Sequence, residues 1–190
     1  MTDNFETAYR HMLEFEGGWV HNPVDVGGET YAGVSRRNWP DWPGWNLIDE
    51  HKRLLGEKFT VKDLNGRLEN DALLQSLIRE FYRHNFWDPV GDEMLPFPQL
   101  VRKMFDTAVN MGPTMARKLL QRALNSLGAK LVVDGMVGPK TRLALGPRDE
   151  QTVITKYCQM QKEQYEQIVA NAPSQNIFLQ GWLRRAAFRG

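Results

Sequence analysis

Three residues near the N-terminus, Glu16, Asp25 and Thr30, have side chains and spacing that could hydrolyse a glycosidic bond. Such cleavage needs an acid that protonates the leaving oxygen and a second carboxylate that activates water or stabilises the developing positive charge. Glu16 is the candidate acid and Asp25 the candidate second carboxylate, while Thr30 could help to hold the water. These residues predict acid–base hydrolysis of a polysaccharide.

Glu16 differs from its neighbour Glu14 in the helix face on which it is expected to lie. Residues 3–16 have the apolar spacing of a helix that ends at Gly17-Gly18, and Glu16 extends the stripe that contains Met12, whereas Glu14 falls on the polar face. Burial and the negative end of the helix dipole both favour a protonated carboxyl group, which a general acid must have. The alternative is a glutamate that returns to solvent or forms a salt bridge.

Asp25 and Thr30 fall within residues 19–34, which are predicted to form a short hairpin or an irregular β excursion because two pairs of turn residues interrupt them. A hairpin that folds back over a helix end would bring Asp25 across a cleft from Glu16. The alternative is an Asx-turn at Asp25 and ordinary hairpin polarity at Thr30.

The rest of the chain predicts a mainly α fold with this one small β-hairpin. Helices are expected over residues 69–87 (capped by Asn70 or Glu69), 97–111, 114–127, 149–170 and 174–188, with a turn and a short helix over residues 132–146. Residues 36–66 are expected to be rich in loops, because the prolines and glycine of NWPDWPGW exclude a long helix.

The composition is that of a globular protein with an uneven charge distribution. The chain has 190 residues, of which 42% are hydrophobic and 25% charged, enough for one domain or two small lobes. Residues 1–95 hold 10 basic and 17 acidic side chains, whereas residues 96–190 hold 14 basic and 6 acidic ones. The basic half suits an anionic polymer such as nucleic acid or cell wall, or it pairs with the acidic half.

Several function classes are disfavoured by what the sequence lacks. No apolar run approaches the roughly 20 residues of a membrane span, so no membrane insertion is expected. The start of the chain has no secretory signal, so we expect synthesis in the cytoplasm and a holin or another export route. The histidines lack metal-ligand spacing, and no base-reading motif accompanies the basic half. We therefore expect no metal, no cofactor and no nucleic acid, and a monomer.

The segment from Glu16 to Val34 resembles the glycoside hydrolase family 108 lysozymes of phage endolysins and bacterial muramidases. The matching motifs are Glu-Gly-Gly-aromatic at residues 16–19, Asp-x-Gly-Gly-x-Thr at residues 25–30 and aromatic-x-Gly-hydrophobic at residues 31–34. The resemblance implies a lysozyme-like helical fold and N-acetylmuramidase activity on peptidoglycan, with Glu16 as the catalytic acid.

The spacing departs from the broader phage-lysozyme pattern at one position. That pattern is Glu-x8-Asp-x5-Thr, whereas Thr30 comes one residue early and Tyr31 occupies the expected place. Tyr31 and Trp19 are candidates for substrate binding. Trp39, Trp42 and Trp45 are expected to line the cleft or to pack in the core.

The second half resembles the predicted peptidoglycan domain that follows this hydrolase segment, on the strings FDTAVNMGPTMARKLLQRALN and DGMVGPKT. Asp106 and Asn110 lie four residues apart on one helical face and are further candidates for substrate binding. Residues 134–141 are alternatively ordinary turn and capping chemistry. We expect a catalytic segment over 1–92 and a peptidoglycan-binding segment over 93–190, which could pack into one globule.

The sequence therefore predicts an endolysin-like N-acetylmuramidase that cleaves the β-1,4 bond between N-acetylmuramic acid and N-acetylglucosamine in the periplasm or cell wall. One alternative is a lytic transglycosylase, which uses a single acid and no water nucleophile. Another is a non-catalytic wall-binding or secretion-accessory protein.

Overall fold

The computed structural model describes residues 4–14, 17–21, 28–91 and 95–190. Within these ranges the chain is mainly α-helical with a small antiparallel sheet near the N-terminus, which confirms the predicted fold class. The chain divides into two compact units. The smaller unit is Tyr9–Arg83, and the larger unit is Met1–Ala8 together with His84–Gly190.

Helices and strands follow one another in a simple order. The helices are α1 (Asn4–Leu13), α2 (Gly44–Leu55), α3 (Val61–Glu69), α4 (Ala72–Tyr82), α5 (Pro98–Met111), α6 (Pro113–Ser126), α7 (Pro139–Leu145), α8 (Glu150–Asn171) and α9 (Asn176–Ala187). The strands are β1 (Val20–His21), β2 (Glu29–Tyr31) and β3 (Val34–Ser35). A π-helical turn (Arg83–Trp87) and a 3₁₀ turn (Asp88–Val90) extend α4. A 3₁₀ turn (Pro173–Gln175) precedes α9.

The prediction that residues 36–66 are rich in loops was wrong, because α2 and most of α3 lie there. Pro43 immediately precedes α2, so its ring and its missing N–H lie outside the hydrogen-bonded interior of the helix. The side chain of Ile48 is fully buried, so the face of α2 that carries it packs in the core. A capping box begins α3, in which Thr60 accepts a hydrogen bond from the Asp63 backbone and Asp63 accepts one from the Thr60 backbone.

The start of α4 was also predicted at the wrong residue. Its N-cap is Asp71, not Asn70 or Glu69, because the Asp71 carboxylate accepts a hydrogen bond from the Leu74 N–H at 3.0 Å. The α-helix itself ends at Tyr82, and the predicted end at residue 87 coincides with the end of the π-helical turn. The 3₁₀ turn then stops at Gly91, which has φ 90°.

The predicted N-terminal helix is confirmed over α1. It ends at Leu13, with Glu14 in a turn, before the predicted limit at residue 16. Residues 15 and 16 lie outside the described part of the chain. The continuation of the apolar stripe to Glu16 therefore stays a prediction.

The sheet has the strand order β1-β2-β3 and is antiparallel throughout. A two-residue turn joins β2 to β3, with Ala32 at φ 44° and Gly33 at φ 77°. Positive φ at both positions is the geometry of a type I′ hairpin turn, whose twist matches that of the strands. The aromatic-x-Gly-hydrophobic motif is therefore a tight hairpin.

The larger unit is a helical assembly in which α8 packs against α5, α6 and α9. Gly112, at φ 85°, lets α5 turn directly into α6. Phe5, Trp87 and Phe105 pack edge-on with centroids 5.4 to 6.1 Å apart. No helix among the described residues is long and apolar enough to cross a membrane.

Candidate active site

The chain that directly follows Glu16 lies against α3. The backbone N–H of Trp19 donates a hydrogen bond to the side-chain oxygen of Asn65 at 2.7 Å. A Cβ atom on Gly18 would lie 2.5 Å from the Asn65 amide nitrogen, whereas one on Gly17 would meet nothing within 4 Å. A side chain at the second glycine of the motif would therefore displace the Asn65 amide that accepts the Trp19 N–H.

The indole ring of Trp19 is held on several sides and is only 9% exposed. Its Nε1 donates a hydrogen bond to the Glu29 carboxylate. The ring stacks on His21 and meets Phe59 edge-on, with centroids 6.0 Å apart in both cases, and the Lys52 ammonium lies 5.1 Å from its centroid. The predicted contact between Trp19 and a sugar stays a prediction, and this burial argues against it.

Glu29 is a buried carboxylate that joins the sheet to α2. It is 8% exposed and forms ion pairs with Lys52 and with Arg36, whose Nε lies 3.0 Å away. Arg36 in turn pairs with Asp49 at 2.8 Å and lies 4.6 Å from the ring centroid of Trp45. Because both oxygens of Glu29 are engaged, the residue holds β2 in place against α2.

Thr30 lies on the more open face of the sheet. It is the middle residue of β2 and pairs with Val20 on one side and Ser35 on the other. Cross-strand partners share a face, and Val20 is 55% exposed, whereas Glu29 and Tyr31 point to the buried face. Thr30 is therefore placed where its hydroxyl could hold a water molecule.

The side chain of Tyr31 lies on the buried face of the sheet. It is 3% exposed, and its hydroxyl accepts a hydrogen bond from the Gln75 side chain at 3.2 Å. Burial raises the pKa of Tyr31 above its ordinary value. Beside it, the Tyr82 hydroxyl donates a hydrogen bond to the Ala32 carbonyl at 2.8 Å. Direct contact between Tyr31 and a substrate stays a prediction that this burial does not favour.

The two predicted catalytic carboxylates, Glu16 and Asp25, lie outside the described residues, so their roles stay predictions. The structure describes the chain on both sides of each. Asp25 belongs to the connection between β1 and β2, whose ends are brought together by the pairing of His21 with Glu29. The Trp19–Glu29 hydrogen bond reinforces that closure.

Two of the three other tryptophans considered for the cleft belong to the core. Trp42 and Trp45 are 8% and 3% exposed and pack edge-on with centroids 5.2 Å apart. Trp39 is 39% exposed and meets Phe81 edge-on at 4.9 Å. The core-packing interpretation therefore holds for Trp42 and Trp45, and Trp39 is the one of the three with an accessible ring.

Asp106, a predicted substrate-binding residue, takes part in a buried ion-pair cluster of the larger unit. Its carboxylate lies 3.0 Å from Arg185 and 3.9 Å from Lys103. Lys103 is fully buried, its pKa is lowered by that burial, and its ammonium donates a hydrogen bond to the Arg185 carbonyl at 2.6 Å. The cluster fastens α9 to α5, so a structural function accounts for Asp106.

Asn110, one helical turn beyond Asp106, is exposed. Its side-chain oxygen accepts a hydrogen bond from the Tyr165 hydroxyl at 2.7 Å. Burial raises the pKa of Tyr165 to about 12, so this hydroxyl keeps its proton at neutral pH. Asn110, Tyr165 and Trp182 line a cleft of about 290 Å³, and Asn110 is therefore accessible to a ligand.

Sequence reasoning missed the residues that position the site. Glu29 directly precedes Thr30 in the motif, and its place in the buried face of β2 was the available signal. Asn65 and Lys52 come from the region that was expected to be rich in loops, where no spacing pattern marked them.

Comparisons with known proteins bear on both halves of the chain. A family model described as "Glycosyl hydrolase 108" matches residues 9–112, and one described as "Predicted Peptidoglycan domain" matches residues 115–187. Among solved structures 11 chains match. One, titled "Structure of Brucella abortus SagA", is 24% identical, covers 96% of this chain and 89% of its own, and has a TM-score of 0.65, which shows the fold alone. A comparison with curated proteins gives no match.

Proposed function

The chain belongs to the glycosyl hydrolase 108 family, and we propose that it is an N-acetylmuramidase with Glu16 as its general acid. The family match confirms the resemblance noted in the sequence and makes the chain a glycoside hydrolase. The second match supports peptidoglycan as the polymer on which it acts. The bond cleaved, the catalytic residues and the biological setting are the proposed part.

The observation that carries the proposal is that the segments on either side of the connection that contains Asp25 are hydrogen-bonded to each other. The hydrogen bond from Trp19 to Glu29 and the pairing of Val20 with Thr30 bring the segment after Glu16 beside the central strand. The connection that carries Asp25 begins and ends at these strands. The segments that carry the three motif residues therefore belong to the same unit.

The proposed mechanism assigns one step to each residue. The Glu16 carboxyl protonates the oxygen of the leaving N-acetylglucosamine. Asp25, in a more polar setting, activates water or stabilises the positive charge that develops on N-acetylmuramic acid. Thr30, on the open face of the sheet, helps to orient the water. A water molecule is consumed and a reducing muramic acid end is produced.

The predicted binding residues take different parts in this scheme. Asn110 is exposed and keeps its proposed contact with substrate. Trp19, Tyr31 and Asp106 are largely buried, so we assign them to positioning. The division into a catalytic segment over 1–92 and a wall-binding segment over 93–190 remains part of the proposal, as do a monomeric state and an export route.

Product mass tests the proposal against its closest rival. Purified sacculi are digested and the soluble muropeptides are analysed by mass spectrometry. A muramidase releases products with reducing muramic acid ends, whereas a lytic transglycosylase releases anhydro products that are lighter by one water. Anhydro products would show that the protein is a lytic transglycosylase and not a muramidase. Failure to clear a suspension of permeabilised cells would favour a non-catalytic protein.

A further inference from the structure

A groove of about 420 Å³ lies in the larger unit between α6 and the segment that leads into α7. Its walls come from Gln121 and from residues 130–141, which include the DGMVGPKT string. The proposed catalytic scheme does not use these residues. The groove is therefore a second place where the chain could meet a ligand.

The floor of the groove is held in one conformation by Gln121, which is 2% exposed. Its amide nitrogen donates hydrogen bonds to Asp134 Oδ1 at 2.7 Å and to the Met136 carbonyl at 3.1 Å. Its amide oxygen accepts the Gly135 N–H at 2.8 Å, and Asp134 Oδ1 also accepts the Met136 N–H at 2.8 Å. A loop held by four hydrogen bonds loses little conformational entropy when it binds a ligand.

Glycine is the residue type that fits at position 135, where this loop bends. Its φ is 81°, and a Cβ there would lie 3.2 Å from the Thr114 carbonyl oxygen and 3.1 Å from the Thr114 methyl group. The loop therefore lies directly on α6, and the turn chemistry that the sequence indicated is present. The turn residues account for the shape of the loop, but they do not account for the side chains that the loop exposes.

Those side chains are aliphatic and charged. Val132 and Met136 line the groove although they are 77% and 72% exposed. Lys130 and Lys140 also line it and are exposed, and neither forms an ion pair with any residue that the structure describes. The Gln121 amide lowers the pKa of Asp134, so the groove also carries one anion at neutral pH.

The chemistry of this lining discriminates between the two parts of peptidoglycan. Aromatic rings stack favourably on the apolar faces of sugars, and no aromatic side chain is among the described residues that line this groove. A stem peptide carries carboxylates, an amine or amide, and alanine methyl groups. Two lysines, one aspartate and two aliphatic side chains complement those groups.

We propose that the groove formed by Gln121 and residues 130–141 binds the stem peptide of peptidoglycan, with Lys130 and Lys140 on its carboxylates and Val132 and Met136 on its methyl groups. This inference rests on the proposed function, because it takes peptidoglycan as the substrate. It assigns the glycan to the catalytic unit and the peptide to the wall-binding segment.

The test measures binding of two purified fragments to the full-length protein by titration calorimetry. The fragments are the free stem tetrapeptide and a glycan strand from which an amidase has removed the peptides. The variant is Lys130→Gln with Lys140→Gln. The control is Lys156→Gln with Lys162→Gln, which makes the same charge change on α8 outside the groove.

The wild type and the control are expected to bind the tetrapeptide equally, and the groove variant about tenfold or more weakly, because it loses two charge-assisted contacts. Circular dichroism confirms that each variant is folded. Equal binding by all three proteins, no tetrapeptide binding by the wild type, or weakened binding of the glycan strand instead would each overturn the inference. Glycan cleavage by the same proteins is assayed separately, so failure of this site and failure of the muramidase proposal are distinguishable.

Discussion

The indole N–H of Trp19 donates a hydrogen bond to the carboxylate of Glu29, ten residues further along the chain. The two residues flank the connection between β1 and β2, which carries Asp25. Lys52 pairs with the same oxygen of that carboxylate, and Arg36 pairs with the other one. One buried acid thus ties together the chain after Glu16, the central strand and helix α2.

Removing the indole donor should weaken this anchor. Trp19→Phe keeps an aromatic ring against His21 and Phe59 but loses the hydrogen bond to a charged acceptor, so the free energy of unfolding should fall by about 1–3 kcal/mol. Urea denaturation measures the change. Trp39→Phe is the matched control and should cost less, because that ring is 39% exposed. Equal losses in the two variants would show that the hydrogen bond contributes nothing.

The two glycines that follow Glu16 should respond differently to the same substitution. Gly18→Ala places a Cβ 2.5 Å from Asn65, so the Asn65 side chain must move and release the Trp19 N–H. We expect a loss of about 1–3 kcal/mol in stability and a parallel loss of wall cleavage. Gly17→Ala meets no atom within 4 Å and should stay within about 0.5 kcal/mol of wild type. Similar stability of both variants would contradict the close approach.

The cap of α4 should make stability depend on pH in the acid range. The pKa of Asp71 is lowered, first because its carboxylate accepts a hydrogen bond from the Leu74 N–H and second because it is hydrogen-bonded to the His51 ring. Its contribution is fully present above the unfolded pKa of about 3.9 and is lost as the pH falls through the folded pKa. Asp71→Asn still caps the helix but does not titrate. The melting temperatures of the two proteins should therefore converge as the pH falls below about 4. A constant difference from neutral to acid pH would contradict this assignment.

The basic surface of α6 should make binding to the wall sensitive to salt. Leu119 and Leu120 are fully buried, whereas Lys118 is half-buried and Arg122 is exposed. The apparent KM on sacculi should rise between low and physiological salt, where charges more than about 8–10 Å apart become screened, and kcat should change less.

Neutralising Lys118 and Arg122 with glutamine should flatten that rise. Lys156→Gln with Lys162→Gln controls for the change in net charge. A salt response identical to that of wild type, together with a loss of thermal stability, would mean that the two cations only stabilise the fold.

The sequence predicts the larger unit well because its helices depend on local periodicity. The apolar spacing located α5, α6, α8 and α9 to within about two residues, which is the usual uncertainty of helix ends. The failure at α2 has a physical cause, since Pro43 and Gly44 look like helix breakers in sequence but stand at the helix boundary in the structure.

The candidate site was predictable where a motif carries it and was not predictable where distant segments meet. The type and order of residues in the motif indicated Thr30, whereas the turn at Ala32-Gly33 was not among those predicted for residues 19–34. The contacts of Glu29 with Lys52 and of Trp19 with Asn65 join segments more than 20 residues apart. No local pattern encodes such pairs, because they depend on how α2 and α3 pack against the sheet.

The central claim is that Glu16 donates the proton, and one pair of isosteric variants tests it most directly. Reducing ends released from purified sacculi are measured for wild type, Glu16→Gln and Glu14→Gln, with folding checked by circular dichroism. The Glu14 carboxylate lies 3.6 Å from the His11 ring on a side chain that is 70% exposed, so Glu14→Gln should keep wild-type activity. Glu16→Gln should lose about 10²–10⁴-fold, because an amide cannot act as a general acid. Cleavage by folded Glu16→Gln at the wild-type rate would contradict the account.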